Sequence, residues 1–247
     1  MPVSNATTRD GRPEQLPLLL RWRSGGRFAT FEPGPNAEAA RALEAVAAGA
    51  GRRVVFVWGS PGSGKSHLLE ACCARAAEHD RRVGVVPLAG AASLAPAILD
   101  GLGALDLVCI DDVDRVAGAA QWEEALFHLF NALDAGARTL VLTAAAAPSA
   151  CGFSLPDLAS RFAAALVLRL RPLDDATRLA ALRRHALTRG LRIDDDVGRY
   201  VLQRHSRDLP ALVGLLDRLD REALAARRQL TVPFVREVMA RGEPGEG

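Results

Sequence analysis

The stretch Gly59-Ser60-Pro61-Gly62-Ser63-Gly64-Lys65-Ser66 constrains the fold of this chain more than any other. It fits the phosphate-loop pattern G-x-x-x-x-G-K-[ST] at every position. Lys65 is the only lysine among 31 basic residues, the rest being arginine. A planar guanidinium fork is too wide to lie along the β/γ-phosphates under a tight backbone cradle, whereas a compact ammonium fits. The flanks agree. Val54-Val55-Phe56-Val57-Trp58 reads as a buried parallel strand, and Ser66-His67-Leu68-Leu69-Glu70-Ala71-Cys72-Cys73 as a helix start. Strand, glycine loop and helix, in that order, bring backbone N–H groups and a helix N-terminus onto an anion. The expected ligand is a nucleoside phosphate held by residues 59–67.

Further apolar runs at Val83 to Pro87, Leu105 to Ile110, Thr139 to Thr143 and Ala165 to Leu170 alternate with helical patterns. Alternation of this kind predicts a parallel five-stranded sheet covered by helices on both faces, an α/β fold. From Pro172 onward the period is helical throughout. Asp174/Asp175 can cap a helix carrying Leu179, Leu182 and Ala186 and stopping at Gly190. Asp194 to Asp196 can open a second, with Val197, Tyr200 and Val201 inward. A longer helix from about Asp208 to Arg228 bears Leu209, Leu212, Leu216, Leu219 and Leu224, and Thr231 caps a last short one with Pro233 in its first turn. The predicted organisation is a flexible segment at 1–24, a nucleotide-binding αβα domain at 25–172, a small all-helical lid at 173–241 and a tail at 242–247.

A formal net charge of +2 gives no footprint of a stand-alone nucleic-acid binder, so DNA contact is expected only indirectly. Cys72, Cys73, Cys109 and Cys151 show no metal-ligand spacing, and three of them lie in apolar contexts where a thiol is a small core residue. The N-terminus lacks a continuous apolar signal region, and Leu16 to Leu20 is too short to span a bilayer. A soluble, cytoplasmic protein with no membrane partner is expected.

Leu107-Val108-Cys109-Ile110-Asp111-Asp112 is an apolar strand ending in carboxylates. With a phosphate loop upstream, Asp111 together with Ser66 is expected to serve Mg²⁺, and Asp112 to orient an attacking water. On these motifs the chain, over about residues 13 to 241, resembles the AAA+ ATPases of the replication-initiator group. Within that group it resembles most the regulatory inactivators of the initiator DnaA. Phe28-Ala29-Thr30-Phe31-Glu32-Pro33-Gly34-Pro35-Asn36 is similar to the family segment that precedes the sheet and flanks the adenine. Leu155-Pro156-Asp157-Leu158-Ala159-Ser160-Arg161 is similar to its arginine-finger motif, and Ser206-Arg207-Asp208-Leu209 to its sensor-2 motif. Leu230-Thr231-Val232-Pro233-Phe234-Val235-Arg236-Glu237 resembles the ending of the inactivator branch.

The resemblance implies that Asn36 and Arg207 belong to the nucleotide site, Arg207 coupling the phosphates to lid position. It implies that Arg161 acts in trans, on ATP bound by a neighbouring subunit. Gln15-Leu16-Pro17-Leu18-Leu19-Leu20 resembles the peptide by which such regulators bind the DNA polymerase sliding clamp (its beta subunit), with Gln15, Leu16, Leu18 and Leu19 making contact and the usual terminal aromatic missing. The implied partners are DnaA and the clamp, with a second copy of the chain as a further candidate, and the implied ligand is ADP or ATP with Mg²⁺. One departure concerns own-site hydrolysis: a polar sensor-1 residue usually follows the fourth strand, but here the sequence is Thr143-Ala144-Ala145-Ala146-Ala147-Pro148, and methyl groups cannot position a water. The leading expectation is a negative regulator that stimulates hydrolysis of DnaA-bound ATP. The alternative is a self-contained ATPase such as a helicase loader, or an initiator-like protein, the latter disfavoured because the chain ends about six residues after the last lid helix.

Overall fold

Each of the five apolar runs becomes a strand: β1 (Val54–Trp58), β2 (Val83–Pro87), β3 (Leu107–Asp111), β4 (Thr139–Ala144) and β5 (Leu166–Arg169). A computed structural model describes residues 26–205, 209–226 and 228–241. The strands form one all-parallel sheet in the order β2-β3-β4-β1-β5. β1 therefore lies between β4 and β5, with Trp58 opposite Ala144 on one side and Arg169 on the other. The chain leaves β1 toward the far edge at β2, so the strand order reverses beside β1. In parallel sheets the crevice beyond the C-terminal ends of the strands at such a reversal is where ligands bind.

Alternation along β1 explains the layering. Val55 and Val57 face one side, where they pack with Leu43 and Val46 of α1 (Ala37–Ala47) and with Leu68, Leu69, Cys72 and Cys73 of α2 (Lys65–Glu78). Phe56 faces the other side, against Leu126 and Leu133 of α3 (Ala120–Ala135) and Leu158 and Phe162 of α4 (Pro156–Ala163). Both faces of the sheet are covered, as the strands' unbroken apolar character requires. At the opposite end of the strands Arg81 donates to the carbonyls of Val46, Ala47 and Asp106 and to the Thr139 hydroxyl, which satisfies main chain from two separate segments and ties both to the start of β4.

The helical part comprises α5 (Asp175–Leu187), α6 (Asp195–Arg204), α7 (Leu209–Ala226) and α8 (Val232–Ala240) around a core that includes Leu182, Val197, Val201, Leu212, Leu216 and Phe234. Asp174 caps α5 as expected, its carboxylate accepting from the Thr177 N–H at 2.7 Å. Two details differ from the sequence reading, at Thr231 and at Leu224. Thr231 occupies the N-cap of α8 without a side-chain cap bond. At α6 the carboxylate that engages a first-turn amide is Asp196, on Val197 N–H, while Asp194 makes no cap bond. Leu224 is 79 % exposed, because the inward place on that turn of α7 is taken by Ala223. Among the described residues no helix is long and apolar enough to cross a membrane.

Candidate nucleotide site and arginine helix

The loop from β1 to α2 is a cradle that side chains would fill. A Cβ at Gly59 would come within 2.6 Å of the Leu170 carbonyl oxygen and 2.8 Å of Ser63 Oγ. Gly62 and Gly64 sit in the left-handed region at φ +73° and +96°, where only glycine is unstrained. The loop is closed by Ser63 N–H donating to Ser60 O, and tied to the sheet by Gly59 N–H donating to Ala144 O. Lys65, at the head of α2, is buried, and its Nζ donates to the carbonyls of Gly59 (2.8 Å) and Ser60 (3.2 Å). Among the described residues it forms no ion pair within 4 Å. Ser63 Oγ is buried without a hydrogen-bond partner, and no acidic residue occupies the first turn of α2. A buried cation held only by carbonyls, an unanswered hydroxyl and an uncompensated helix N-terminus all favour an anion at one place. These residues fit a phosphate group.

Next to the cradle, Asp111 ends β3 and Asp112 follows in the left-handed region at φ +55°, a strained setting for a residue with a Cβ. The hydroxyl of Thr143, fully buried in β4, accepts from the Asp112 N–H at 2.9 Å and donates to Asp111 Oδ1. Sequence reasoning looked past this residue to the alanines after it. The available signal was a hydroxyl at the end of the otherwise apolar run Leu140-Val141-Leu142. Burial raises the Asp112 pKa, the charge of Asp111 raises it further, and Lys65 opposes both. The pair thus has one carboxylate locked by Thr143 and a second resisting ionisation.

A cavity opens on the outer side of the loop, walled by Phe31, Gly62, Gly64, His67, Leu173 and His185. His67 Nε2 is 3.1 Å from Arg27 O and 3.3 Å from Thr30 Oγ1, and its ring meets His185 of α5 edge-on at 5.4 Å between centroids. This wall thus joins the sheet domain directly to the lid. Asn36 stands behind it. Both its amide atoms are taken by the Arg171 main chain, Nδ2 donating to Arg171 O at 2.9 Å and Oδ1 accepting from Arg171 N–H at 2.8 Å. In this structure Asn36 clasps the segment before the sheet to the strand–lid connection.

Burial is the main reason the His185 pKa falls to about 4, with His67 and Arg189 adding repulsion and Asp217 opposing them. Burial lowers the His67 pKa as well. Between pH 6.5 and about 4 the unfolded chain therefore binds a proton at His185 that the folded chain refuses. Stability is expected to fall as pH falls through that window. Melting temperature measured against pH tests this: the slope below pH 6.5 should be shallower in His185→Gln than in the unaltered protein.

Arg161 sits elsewhere, on α4. Its guanidinium lies over the rings of Phe127 (5.1 Å) and Phe130 (4.9 Å) of α3, and among the described residues it forms no ion pair. Phe162, its neighbour, is fully buried against Phe56 and Phe153, which anchors the helix. The structure brings together residues 59–67 with Asp111 and Asp112, and places Arg161 on a separate helix. Arg207 and the segment containing Gln15, Leu16, Leu18 and Leu19 lie outside the described residues.

A parallel sheet in this order, a phosphate loop after β1, paired carboxylates after β3 and a helical lid together define a P-loop module of the AAA+ class. Residues 24–169 match the family model of the bacterial DnaA ATPase domain, and residues 175–239 match that of the Hda lid domain. The chain belongs to the DnaA-related AAA+ family, with a lid of the Hda kind. Among solved structures it is similar to domain III of the replication initiation protein DnaA from Thermotoga maritima, at 24% identity and TM-score 0.74, covering 89% of this chain and 97% of that one. It is also similar to AMPPCP-bound DnaA from Aquifex aeolicus (22%, TM-score 0.64, covering 82% and 69%). The RuvB Holliday junction branch migration motor of Thermotoga maritima is a further match (19%, TM-score 0.60, covering 87% and 73%).

Proposed function

We propose that this protein is a cytoplasmic, nucleotide-bound negative regulator of replication initiation. It is held on the DNA-loaded sliding clamp, docks against ATP-loaded DnaA and presents Arg161 to the ATP held there. The observation that carries this reading is the state of Arg161. A guanidinium rests on two aromatic faces with no carboxylate partner among the described residues, so its charge is positioned but not neutralised. The Hda-type lid supports DnaA as the partner. In the chain's own site residues 59–66 would hold the phosphates of ADP or ATP, and the AMPPCP held by the Aquifex DnaA supports that. The nucleotide acts there as a structural ligand that orders core and lid. Ser66 and Asp111 would serve Mg²⁺, which supplies charge neutralisation between phosphates when bound.

The test is DnaA-bound ATP hydrolysis measured with this protein and clamp on DNA, against each component left out. Stimulation confined to the complete mixture is expected, and no stimulation would defeat the reading. The Asp111–Thr143–Asp112 arrangement favours a second reading, a self-contained ATPase. Turnover of the chain alone that matches turnover of the mixture would select it.

The clamp contact gives a separation of functions. Replacing Gln15 and Leu16 with alanine removes an amide and an apolar anchor from a peptide with few contacts to lose. Clamp binding is expected to fall steeply while nucleotide binding and melting temperature stay near wild type. Stimulation of DnaA should fail at low concentration and partly recover at high concentration, because tethering acts through local concentration. If the double variant loses nucleotide binding or unfolds, the leucines belong to the core.

A further inference from the structure

Glu123 lies on α3, one turn before Phe127 and two turns before Phe130, in a single stripe that faces α4. Its side chain is only 1 % exposed. Every carboxylate oxygen is engaged by main chain: Oε1 accepts from Gly118 N–H at 2.6 Å and Ser154 N–H at 3.0 Å, and Oε2 accepts from Leu155 N–H at 2.6 Å. Leu155 is the N-cap of α4 and Ser154 precedes it, while Gly118 leads into α3. One buried charge therefore fixes the entry of the arginine helix to the segment that follows Asp111 and Asp112. Further along the same stripe, the two phenylalanines hold the guanidinium of Arg161.

Burying a carboxylate is costly unless it is fully hydrogen-bonded, and an apolar side chain at this point of α3 would have closed the core without that cost. The three bonds do what an apolar contact cannot: they set the direction and register of α4's first turn. The aromatic seat alone is weak, each cation–π contact being worth about 0.5–1 kcal/mol at a partly exposed site. It guides the guanidinium without trapping it, and the placing of the helix beneath it falls to Glu123.

We propose that Glu123 is a positioning residue that aims Arg161 at the phosphates of a partner's ATP. The proposal rests on the reading of Arg161 given above and deepens it. Because it concerns aim, the loss belongs to the maximal rate and not to the encounter. In Glu123→Gln, an amide replaces one acceptor oxygen with a donor facing main-chain N–H groups, and α4 shifts.

The experiment titrates Glu123→Gln, Arg161→Ala and wild type into ATP-loaded DnaA with clamp on DNA. It records maximal stimulation and half-maximal concentration, alongside ADP binding and melting temperature. Expected for Glu123→Gln is a drop of at least about ten-fold in maximal stimulation, toward the roughly hundred-fold that an ångström of misplacement costs a catalytic group. Half-maximal concentration and ADP affinity should be near wild type. If Arg161→Ala stimulates normally, the finger reading itself fails. If Arg161→Ala is inactive while Glu123→Gln reaches the wild-type maximum, or loses only apparent affinity, the positioning role of Glu123 is overturned. Should Glu123→Gln fail to fold, Glu123→Asp decides by the same criterion, since its shorter arm keeps the charge but cannot reach both segments.

Discussion

Arg161→Ala is expected to remove nearly all stimulation of DnaA-bound ATP hydrolysis, a loss on the order of 10³-fold or more, while leaving ADP affinity and melting temperature close to wild type. The size follows from what a trans arginine contributes, about 4 to 7 kcal/mol of transition-state stabilisation. The selectivity follows from its position. Arg161 is only partly buried, on a helix whose inward residues, Leu158 and Phe162, are fully buried, so truncation removes a guanidinium from two aromatic faces and leaves the helix anchored. Arg161→Lys is expected to be poor as well, because an ammonium cannot span two phosphoryl oxygens as the fork does. Stimulation measured at saturating protein checks both, and wild-type stimulation by Arg161→Ala would remove the finger from this residue.

Lys65→Ala is expected to abolish nucleotide binding. Saturating ADP at about 100 times Kd stabilises a binding protein by about 2.7 kcal/mol, or about 5–10 °C in a chain of this size. In the variant that ligand-induced difference should fall to near zero. The same residue offers a labelling test, because it carries the only ε-amine in the sequence. An amine-reactive reagent should modify Lys65 and the N-terminus alone, with ADP protecting Lys65. Equal labelling of folded protein with and without nucleotide would contradict the cradle described here.

The sheet was legible because its strands are short apolar runs with glycine-rich or polar boundaries, and a strand buried on both faces has no other sequence appearance. The lid's helices were legible for a related reason: apolar residues recur at helical spacing along α5, α6 and α7, and Pro233 in a first turn marks the start of α8. Capping was less so. Asp174 and Thr231 look equivalent as sequence, yet only Asp174 bonds a first-turn amide, a difference decided by side-chain geometry. In the site, the glycine loop declared itself through residue types that have few other uses together. Thr143 did not, because one hydroxyl in an apolar strand gains meaning only when the neighbouring strand places Asp111 beside it. Asn36 shows the reverse: a plausible ligand contact by resemblance, it meets the Arg171 main chain across 135 residues, a pairing no local pattern announces. Glu123 was silent too, since a glutamate in a helix is ordinarily a solvated surface charge.

The burial of the thiols carries a practical consequence. Cys72 and Cys73 on α2 and Cys109 on β3 are wholly enclosed, and Cys73 and Cys109 touch with their sulfurs 3.0 Å apart. Burial is the leading cause that holds the Cys73 and Cys109 thiols protonated, and a hydrogen bond with Cys109 does so for Cys72. An alkylating reagent attacks thiolate, so it must wait until the helix bearing the phosphate loop lifts from the strand bearing Asp111. The rate at which these sulfurs react is thus a clock built into the chain, and its slowing by added ADP would time how long the nucleotide keeps those two elements closed.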